Sequence, residues 1–145
     1  QWGRLYLGSV KSETHIVPLL EKLAGEAGES ATFYVRQSDE TRICVARVDG
    51  NRSVRDHVRV GDLLPNDRGA GARVLIAFGP ESELPRGAEE RKLYEDIRAQ
   101  GWCALVGDRT AELAGISAPV FHADGSLAAA VTLTMPTHRY DERYI

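Results

Sequence analysis

The segment LLPNDRGAGARVLIAFG, residues 63–79, holds the residue types in this sequence that are best suited to chemistry. Three glycines, one proline and the polar run Asn66, Asp67 and Arg68 lead into an apolar stretch with helical spacing. A glycine-rich loop before a helix can bind an anion, because the first N–H groups of a helix have no partners within it. The same pattern also fits a catalytic loop, the entrance to a ligand pocket, or a loop satisfied by water.

The two common nucleotide-binding motifs do not fit this segment. A Walker loop needs Lys followed by Ser or Thr, and this chain has Arg73 followed by Val74. A dinucleotide fingerprint needs a third glycine after Gly69 and Gly71, and Val74 occupies that position. What remains is a loop whose helix-start N–H groups can meet an anionic group, or a loop that is simply hydrated.

Nucleophilic and metal chemistry have little support elsewhere in the chain. There is no GxSxG motif, and Cys44 and Cys103 lie in strand-like apolar contexts typical of inert thiols. The histidines at positions 15, 57, 122 and 138 show no metal-binding spacing. We therefore expect no catalytic residue, no metal and no cofactor. The rival reading is a small-molecule hydrolase with Ser117 or Cys103 as nucleophile, although no base stands at a readable spacing.

The dipeptide Asp124-Gly125 is the strongest hairpin signal in the sequence. A two-residue turn there pairs Ala123 with Ser126 and sets the register further back, which can be written as Phe121 with Ala128, Pro119 with Ala130, Ser117 with Thr132, and Gly115 with Thr134. One face of this hairpin is then an ordinary core face: Ile116, Ala118, Val120, Leu127, Ala129, Val131, Leu133 and Met135.

The opposite face of the hairpin carries mainly small side chains, two threonines and a serine. It is too small to fill a core and too poor in charge for an ordinary solvent face. Small residues either let a helix pack closely, or leave a cavity floor where hydroxyl groups bind a polar molecule. Asp56, in an alternating segment, is a candidate acceptor in such a cavity or a charge at its rim.

The elements around these residues predict a single α+β domain. Helices are expected at residues 12–28, capped by Thr14 with Pro18 near the start, from residue 73, and at 88–100, ended by Gly101. Strands are expected at 31–37, 41–50, 54–61, 102–106 and 114–135, and Asp141 is a possible cap for a last helix. The simplest arrangement is a central antiparallel sheet with helices on one or both faces.

Length and composition limit the classes of protein. A chain of 145 residues is enough for one core, and no apolar run has the length of a membrane span. The net charge of -3 lacks the basic excess of a nucleic-acid-binding domain. The two cysteines stand far apart in sequence, which fits a reducing cytoplasm.

Taken in order, four segments of the chain resemble the effector-binding domain of IclR-type bacterial transcription regulators. They are LYLGS, LLEKLAGEAGESATFYV, VGDLLPNDRGAGARVLIAF and GISAPVFHADGSLAAAVTLTMP. The resemblance implies a GAF-like fold with a curved antiparallel sheet that holds a small molecule, typically a carboxylic acid. It also implies homodimers or homotetramers, and contact with DNA only through a winged helix-turn-helix domain expected before residue 1. Residues 1–10 would then end a linker helix, and residues 11–145 would form the sensing domain.

Family ligand contacts can be carried over to matching positions of this chain. To them we add Ser117 from the small-residue face and Arg68 from the loop, where the family tends to read Pro-Leu-His-Ala-Thr-Ala and this chain reads PNDRGA. Leu105 stands where many members have an acid, so a larger or partly apolar effector, selected by Arg68, is expected. The altered loop leaves open a dimerisation module with a vestigial pocket. The predicted ligand-binding residues are Leu64, Arg68, Ala70, Gly71, Leu105, Gly115, Ser117, Thr132 and Thr134.

Overall fold

A computed structural model describes residues 5–6, 12–38, 40–50, 58–81, 84–107 and 113–137. These residues fold as α+β, as the sequence predicts. The helices are α1 (Ser12–Ala27), α2 (Ala70–Ala77) and α3 (Ala88–Gln100). The strands are β1 (Leu5–Tyr6), β2 (Ser30–Arg36), β3 (Thr41–Val48), β4 (Leu63–Pro65), β5 (Cys103–Val106), β6 (Leu113–Phe121) and β7 (Leu127–Pro136).

The strands form one curled sheet in the order β1-β6-β7-β2-β3-β4, and β5 also pairs with β6. The pairing is antiparallel except between β1 and β6. One edge of β6 therefore carries β7, and its other edge is shared by β5 and β1. This arrangement confirms the predicted antiparallel sheet with helices on its faces.

The sheet has a separate apolar cluster on each face. The first cluster joins α1, through Leu20 and Ala24, to Ile116, Val131 and other side chains of β6 and β7. The second cluster lies under α2 and α3. Within the described residues, no helix is long and apolar enough to cross a membrane.

Helix α3 matches its prediction at both ends. Gly101 adopts φ 93°, and its N–H donates to the carbonyl of Ile97, so the left-handed glycine closes the helix as expected. Tyr94 and Ile97 are buried, but Leu93, predicted on the same face, is exposed. A single exposed leucine needs no special explanation.

Several predicted boundaries are wrong. Leu5 and Tyr6 form a strand paired in parallel with β6, so the chain is extended there rather than helical. Helix α1 begins at Ser12, which rules out Thr14 as its cap and places Pro18 in the helix interior. A proline interior to a helix removes one hydrogen bond, and the core contacts of Leu20, Ala24 and Ala27 after it hold this part of α1 against the sheet.

The predicted strand at residues 54–61 is also wrong where it can be compared. Residues 58–61 form a turn, in which the N–H of Gly61 donates to the carbonyl of Cys44 at 2.8 Å, and the strand begins only at Leu63. Asp56 and His57, together with Asp141 and His138, lie outside the described residues. Period-two alternation over a few residues does not distinguish a strand from a loop, because it records only which side chains are apolar.

The β6–β7 hairpin keeps the predicted register over most of its length. Gly115 lies opposite Thr134, Ser117 opposite Thr132, and Pro119 opposite Ala130. The turn differs: the N–H of His122 donates to the carbonyl of Ser126, which leaves a three-residue loop closed by Gly125 at φ 89°.

An irregularity beside the turn compensates for this longer loop. Phe121 pairs with Leu127, not with Ala128, and the register shifts between Val120 and Phe121. The shift exchanges the faces of two residues: Leu127 packs in the cluster under α2, and Ala128 packs against the α1 cluster. The other residues predicted for the core face lie in the α1 cluster, as expected.

Candidate functional site

The first turn of α2 packs closely against the small-residue face of the hairpin. A Cβ added to Gly71 would stand 3.1 Å from Thr132 Oγ1 and 3.1 Å from Tyr34 Cδ2. A Cβ added to Gly115 would stand 3.4 Å from Cβ of Ala70. The small side chains therefore let the helix approach the sheet, which is one of the two roles the sequence left open.

A small cavity remains between this turn and the sheet, and we call it the α2 cavity. Its volume is about 30 Å³, which is room for one or two water molecules. Pockets that hold a drug-sized ligand are on the order of 300–1,000 Å³. The cavity is lined by Tyr34, Arg42, Gly69, Ala70, Gly71, Leu105, Leu113, Ala114, Gly115, Thr132 and Thr134.

Arg42 brings a cation into the wall of the cavity. Its side chain is 1% exposed, on β3 where Arg42 pairs with Leu64 of β4. The guanidinium donates to the carbonyls of Pro65 and Arg68, and its Cζ lies 4.8 Å from the ring centroid of Tyr34. These contacts hold the charge beside the start of α2, where backbone N–H groups add positive potential.

The hydroxyl groups at the cavity have different roles. Thr132 Oγ1 donates to Ser117 Oγ at 3.0 Å, and Ser117 Oγ donates to the carbonyl of Val131 at 3.1 Å. This chain fixes the rotamer of Thr132 and leaves its oxygen as an acceptor. Thr134 makes no side-chain hydrogen bond to any residue that the structure describes, so its hydroxyl can serve a ligand.

Six of the nine predicted ligand-binding residues line the cavity, and three do not. Leu64 is buried in the apolar cluster under α2, and Ser117 acts behind Thr132. Arg68 has a side chain 56% exposed and pairs with Asp67 at 3.5 Å. The cation in the lining of the cavity is Arg42, whereas the side chain of Arg68 is not part of that lining and its carbonyl accepts a hydrogen bond from Arg42.

Sequence reasoning missed Arg42 and Tyr34, although a signal for Arg42 exists. In TRICVARV, Arg42 alternates with Cys44 and Ala46, which are both buried. A charged residue in the buried set of a half-buried strand is rare enough to mark a site, because burying a charge requires compensating contacts.

Catalytic machinery is not assembled from the candidates for it. Ser117 is hydrogen-bonded to Thr132 and to a carbonyl, and not to a base. Cys44 and Cys103 are buried thiols. Across the ranges the structure describes, no three metal-binding side chains come together.

Comparison with known proteins places this arrangement in a family. The model of the family described as "Bacterial transcriptional regulator IclR C-terminal" matches residues 5–145. The chain is 23% identical to the HTH-type transcriptional regulator KipR of Bacillus subtilis, over 98% of this chain and 63% of that protein. It is 24% identical to the Pca regulon regulatory protein of Pseudomonas putida, over 94% of this chain and 52% of that protein. The chain thus spans about half to two thirds of these relatives.

Solved structures show the same fold. Pseudomonas aeruginosa HmgR matches with a TM-score of 0.79 and 26% identity, over 92% of this chain and 58% of that one. An IclR transcriptional regulator from Alicyclobacillus acidocaldarius matches with a TM-score of 0.77 and 20% identity, over 90% and 59%. The matching family and both curated relatives are described as transcriptional regulators. The chain belongs to the IclR family of bacterial transcriptional regulators, as a C-terminal domain of that family.

Proposed function

We propose that this domain binds a small carboxylate-bearing metabolite in the α2 cavity. In the full-length regulator, the bound metabolite alters DNA binding by a winged helix-turn-helix domain on the N-terminal side and acts within a homodimer or homotetramer. The names of the relatives, an HTH-type regulator and a regulon regulatory protein, support the regulatory part of this proposal.

The buried guanidinium of Arg42 is the observation that carries the choice of ligand. An entering carboxylate meets this cation, the hydroxyl of Thr134 and the N–H groups at the start of α2. Hydrogen bonds to a charged group each contribute about 1.5–3 kcal/mol. Leu105 and Leu113 line the same cavity and suit the apolar part of such a metabolite.

The present volume requires that α2 moves when the metabolite binds. A cavity of about 30 Å³ does not admit even a small organic acid. The loop before α2 contains Gly69 at φ 100°, and a glycine can change its backbone conformation with little steric cost when α2 moves. The effector therefore acts by displacing the first turn of α2 from the sheet.

The same small volume favours a second candidate, a dimerisation module whose pocket is vestigial. Close packing of Gly71 and Gly115 against the opposing element is the observation behind it. This candidate predicts an oligomer without any ligand response.

A thermal-shift panel of small carboxylic acids and their neutral amides tests the proposal. A bound acid raises Tm through the RT ln(1 + [L]/Kd) term, and its amide does not. We expect Arg42→Gln to weaken the best acid by about tenfold or more. Arg42→Lys retains part of the affinity, and Arg68→Ala binds like the parent chain.

A conservative pair guards against variants that fail to fold. Thr132→Val and Thr134→Val keep the side-chain shape and each removes one hydroxyl, and Thr134→Val breaks no side-chain hydrogen bond to a described residue, so it is the milder of the two. Lost binding with the oligomer retained supports sensing. Unchanged DNA regulation by the full-length protein carrying both changes favours the vestigial module, and equal binding of acids and amides refutes the role of Arg42.

A further inference from the structure

A hydrogen bond joins the first turn of α2 to helix α3. Arg73 lies in this turn, and its N–H donates to the carbonyl of Gly69 at 3.1 Å, so its backbone moves with the turn. Of the residues in α2, only Arg73 and Ile76 are not buried, and because they lie three positions apart they share one side of the helix. The Arg73 side chain therefore stands off the face that meets the sheet and reaches toward α3.

Tyr94 of α3 accepts the hydrogen bond from this side chain. Arg73 Nη1 donates to the Tyr94 hydroxyl oxygen at 2.7 Å, and the guanidinium carbon lies 5.8 Å from the centroid of the Tyr94 ring. Tyr94 is 4% exposed and belongs to the apolar cluster under α2 and α3. A hydrogen bond with a charged donor is stronger than one between neutral groups, and the burial of Tyr94 limits competition from water.

Helix α3 is itself fixed to the sheet beyond this hydrogen bond. Ile97, on the next turn, is buried in the same apolar cluster. Gly101 ends the helix, and β5 begins at Cys103, which pairs with Ser117 of β6. So short a connection between α3 and the sheet leaves the helix little freedom to follow a movement of α2.

Opening of the α2 cavity therefore has to break the bond between Arg73 and Tyr94. A distance of 2.7 Å between nitrogen and oxygen can grow by only about 0.8 Å before the hydrogen bond is lost. Admission of one layer of ligand atoms between α2 and the sheet needs a displacement of about 3.5–4 Å, the separation of non-bonded carbon atoms. The hydrogen bond thus stabilises the closed position of α2 and not the open one.

We propose, given the displacement of α2 that the proposed function requires, that Arg73 and Tyr94 form a latch that holds the α2 cavity closed. Tyr94 acts through Arg73 as a positioning residue. The affinity of a domain falls in proportion to the share of molecules in the binding-competent state, so the latch weakens binding and its loss strengthens it. Neither residue is among the described residues that line the cavity, so each can be changed without removal of a ligand contact.

A thiol placed inside the cavity measures its opening without any metabolite. Thr134→Cys puts this thiol in the cavity lining, where iodoacetamide reaches it only in open molecules, and peptide mass spectrometry separates its labelling from that of Cys44 and Cys103. We expect Tyr94→Phe, which keeps the ring and removes the hydroxyl, to speed labelling at position 134 about fivefold. Arg73→Met, at a partly exposed position, should have the same effect, and it decides the question where Tyr94→Phe does not fold.

A double variant and a control separate the latch from a general loosening of the helices. Tyr94→Phe combined with Arg73→Met should be labelled no faster than either single variant, because both remove the same hydrogen bond. Arg98→Gln removes the hydrogen bond of 3.2 Å from α3 to the carbonyl of Gly79, beyond the other end of α2, and should leave labelling at position 134 unchanged. Equal acceleration by Arg98→Gln, additive acceleration in the double variant, or no acceleration by Tyr94→Phe and Arg73→Met overturns the proposal.

Binding of benzoate to chains that keep Thr134 gives a second readout. Tyr94→Phe should bind benzoate about fivefold more tightly than the parent chain, a gain that damage to the fold does not produce. Weaker binding by this variant than by the parent overturns the latch. Faster labelling supports the latch even where benzoate does not bind, so a failure of the latch and a failure of the proposed function give different results.

Discussion

At the scale of single residues, the absence of a side chain matters as much as its presence. Gly71 lets α2 approach Thr132 and Tyr34, and the same approach shapes the cavity wall that Arg42 completes. A methyl group at position 71 would meet two neighbours that other contacts hold in place, since Thr132 is bonded to Ser117 and Tyr34 lies under Arg42.

Two glycine-to-alanine changes in helices isolate this effect. Both gain up to about 1 kcal/mol of helix propensity. Gly25→Ala in α1 meets no atom within 4 Å, so we expect its unfolding free energy to rise by about 0.5–1 kcal/mol. Gly71→Ala meets atoms at 3.1 Å and should lose about 1 kcal/mol or more through overpacking. Urea unfolding measures both, and equal stabilisation would refute the tight contact.

At the scale of elements, the β6–β7 hairpin combines a turn, a bulge and a register. The turn is a three-residue loop, one residue longer than predicted, at Ala123, Asp124 and Gly125. The register shift beside Val120 offsets this extra residue, so Gly115 still pairs with Thr134. Hydrogen bonds from the hydroxyl and N–H of Ser126 hold the pKa of Asp124 below its ordinary value of 3.8. The ionised carboxylate is therefore part of the folded turn.

Asp124→Asn should remove a pH dependence that the parent hairpin has. A lowered folded-state pKa gives stability that is present above the unfolded value of 3.8 and is lost as the pH falls through the folded value. We expect the parent chain to exceed the variant in unfolding free energy at pH 6, and this advantage to shrink toward pH 3. Urea unfolding of both proteins between pH 3 and pH 6 measures this difference in free energy. A difference that stays constant with pH would mean that the charge of Asp124 has no role.

At the scale of the whole molecule, one sheet separates two apolar clusters, and the proposed ligand site adjoins one of them. The cluster under α1 includes Leu20 and, among the described residues, shares only Ala114 with the lining of the α2 cavity. The cluster under α2 and α3 includes Leu75 and continues into the walls of the α2 cavity. Apolar burial is spread over both faces of the sheet, whereas the proposed ligand site lies on one of them.

Truncation on each face should separate stability from binding. Leu20→Ala and Leu75→Ala both remove fully buried side chains, so each should cost about 2–5 kcal/mol of unfolding free energy. Only Leu75→Ala should alter binding of the best carboxylic acid from the thermal-shift panel, because it changes the seating of α2. Unfolding curves and titrations at a temperature where both variants are folded measure this, and similar loss of affinity in the two would contradict it.

The sequence predicts local features well where one physical cause dominates. Helix α3 follows from apolar spacing and a terminal glycine, and the hairpin register follows from its turn and its alternation. Arg42 was not predicted as a site residue, because its burial depends on β4, a strand that is distant in the sequence and pairs with β3 in the fold. The position of Arg68 in the loop predicts a contact with the ligand, but loop sequence does not determine which way a side chain points, and this one is 56% exposed beside Asp67.

The close packing of α2 against the sheet also affects how fast this domain can bind a metabolite. In the binding mode proposed above, a metabolite enters only after the first turn of α2 has moved away from the sheet, a motion of about microseconds to milliseconds. If about 1% of molecules are open, the observed affinity is about a hundredfold weaker than that of the open form. The rate of binding then reaches a plateau set by the opening step at high metabolite concentration. Such a domain would bind its metabolite when the metabolite concentration stays high, and would not respond to changes in concentration that are shorter than the opening time of α2.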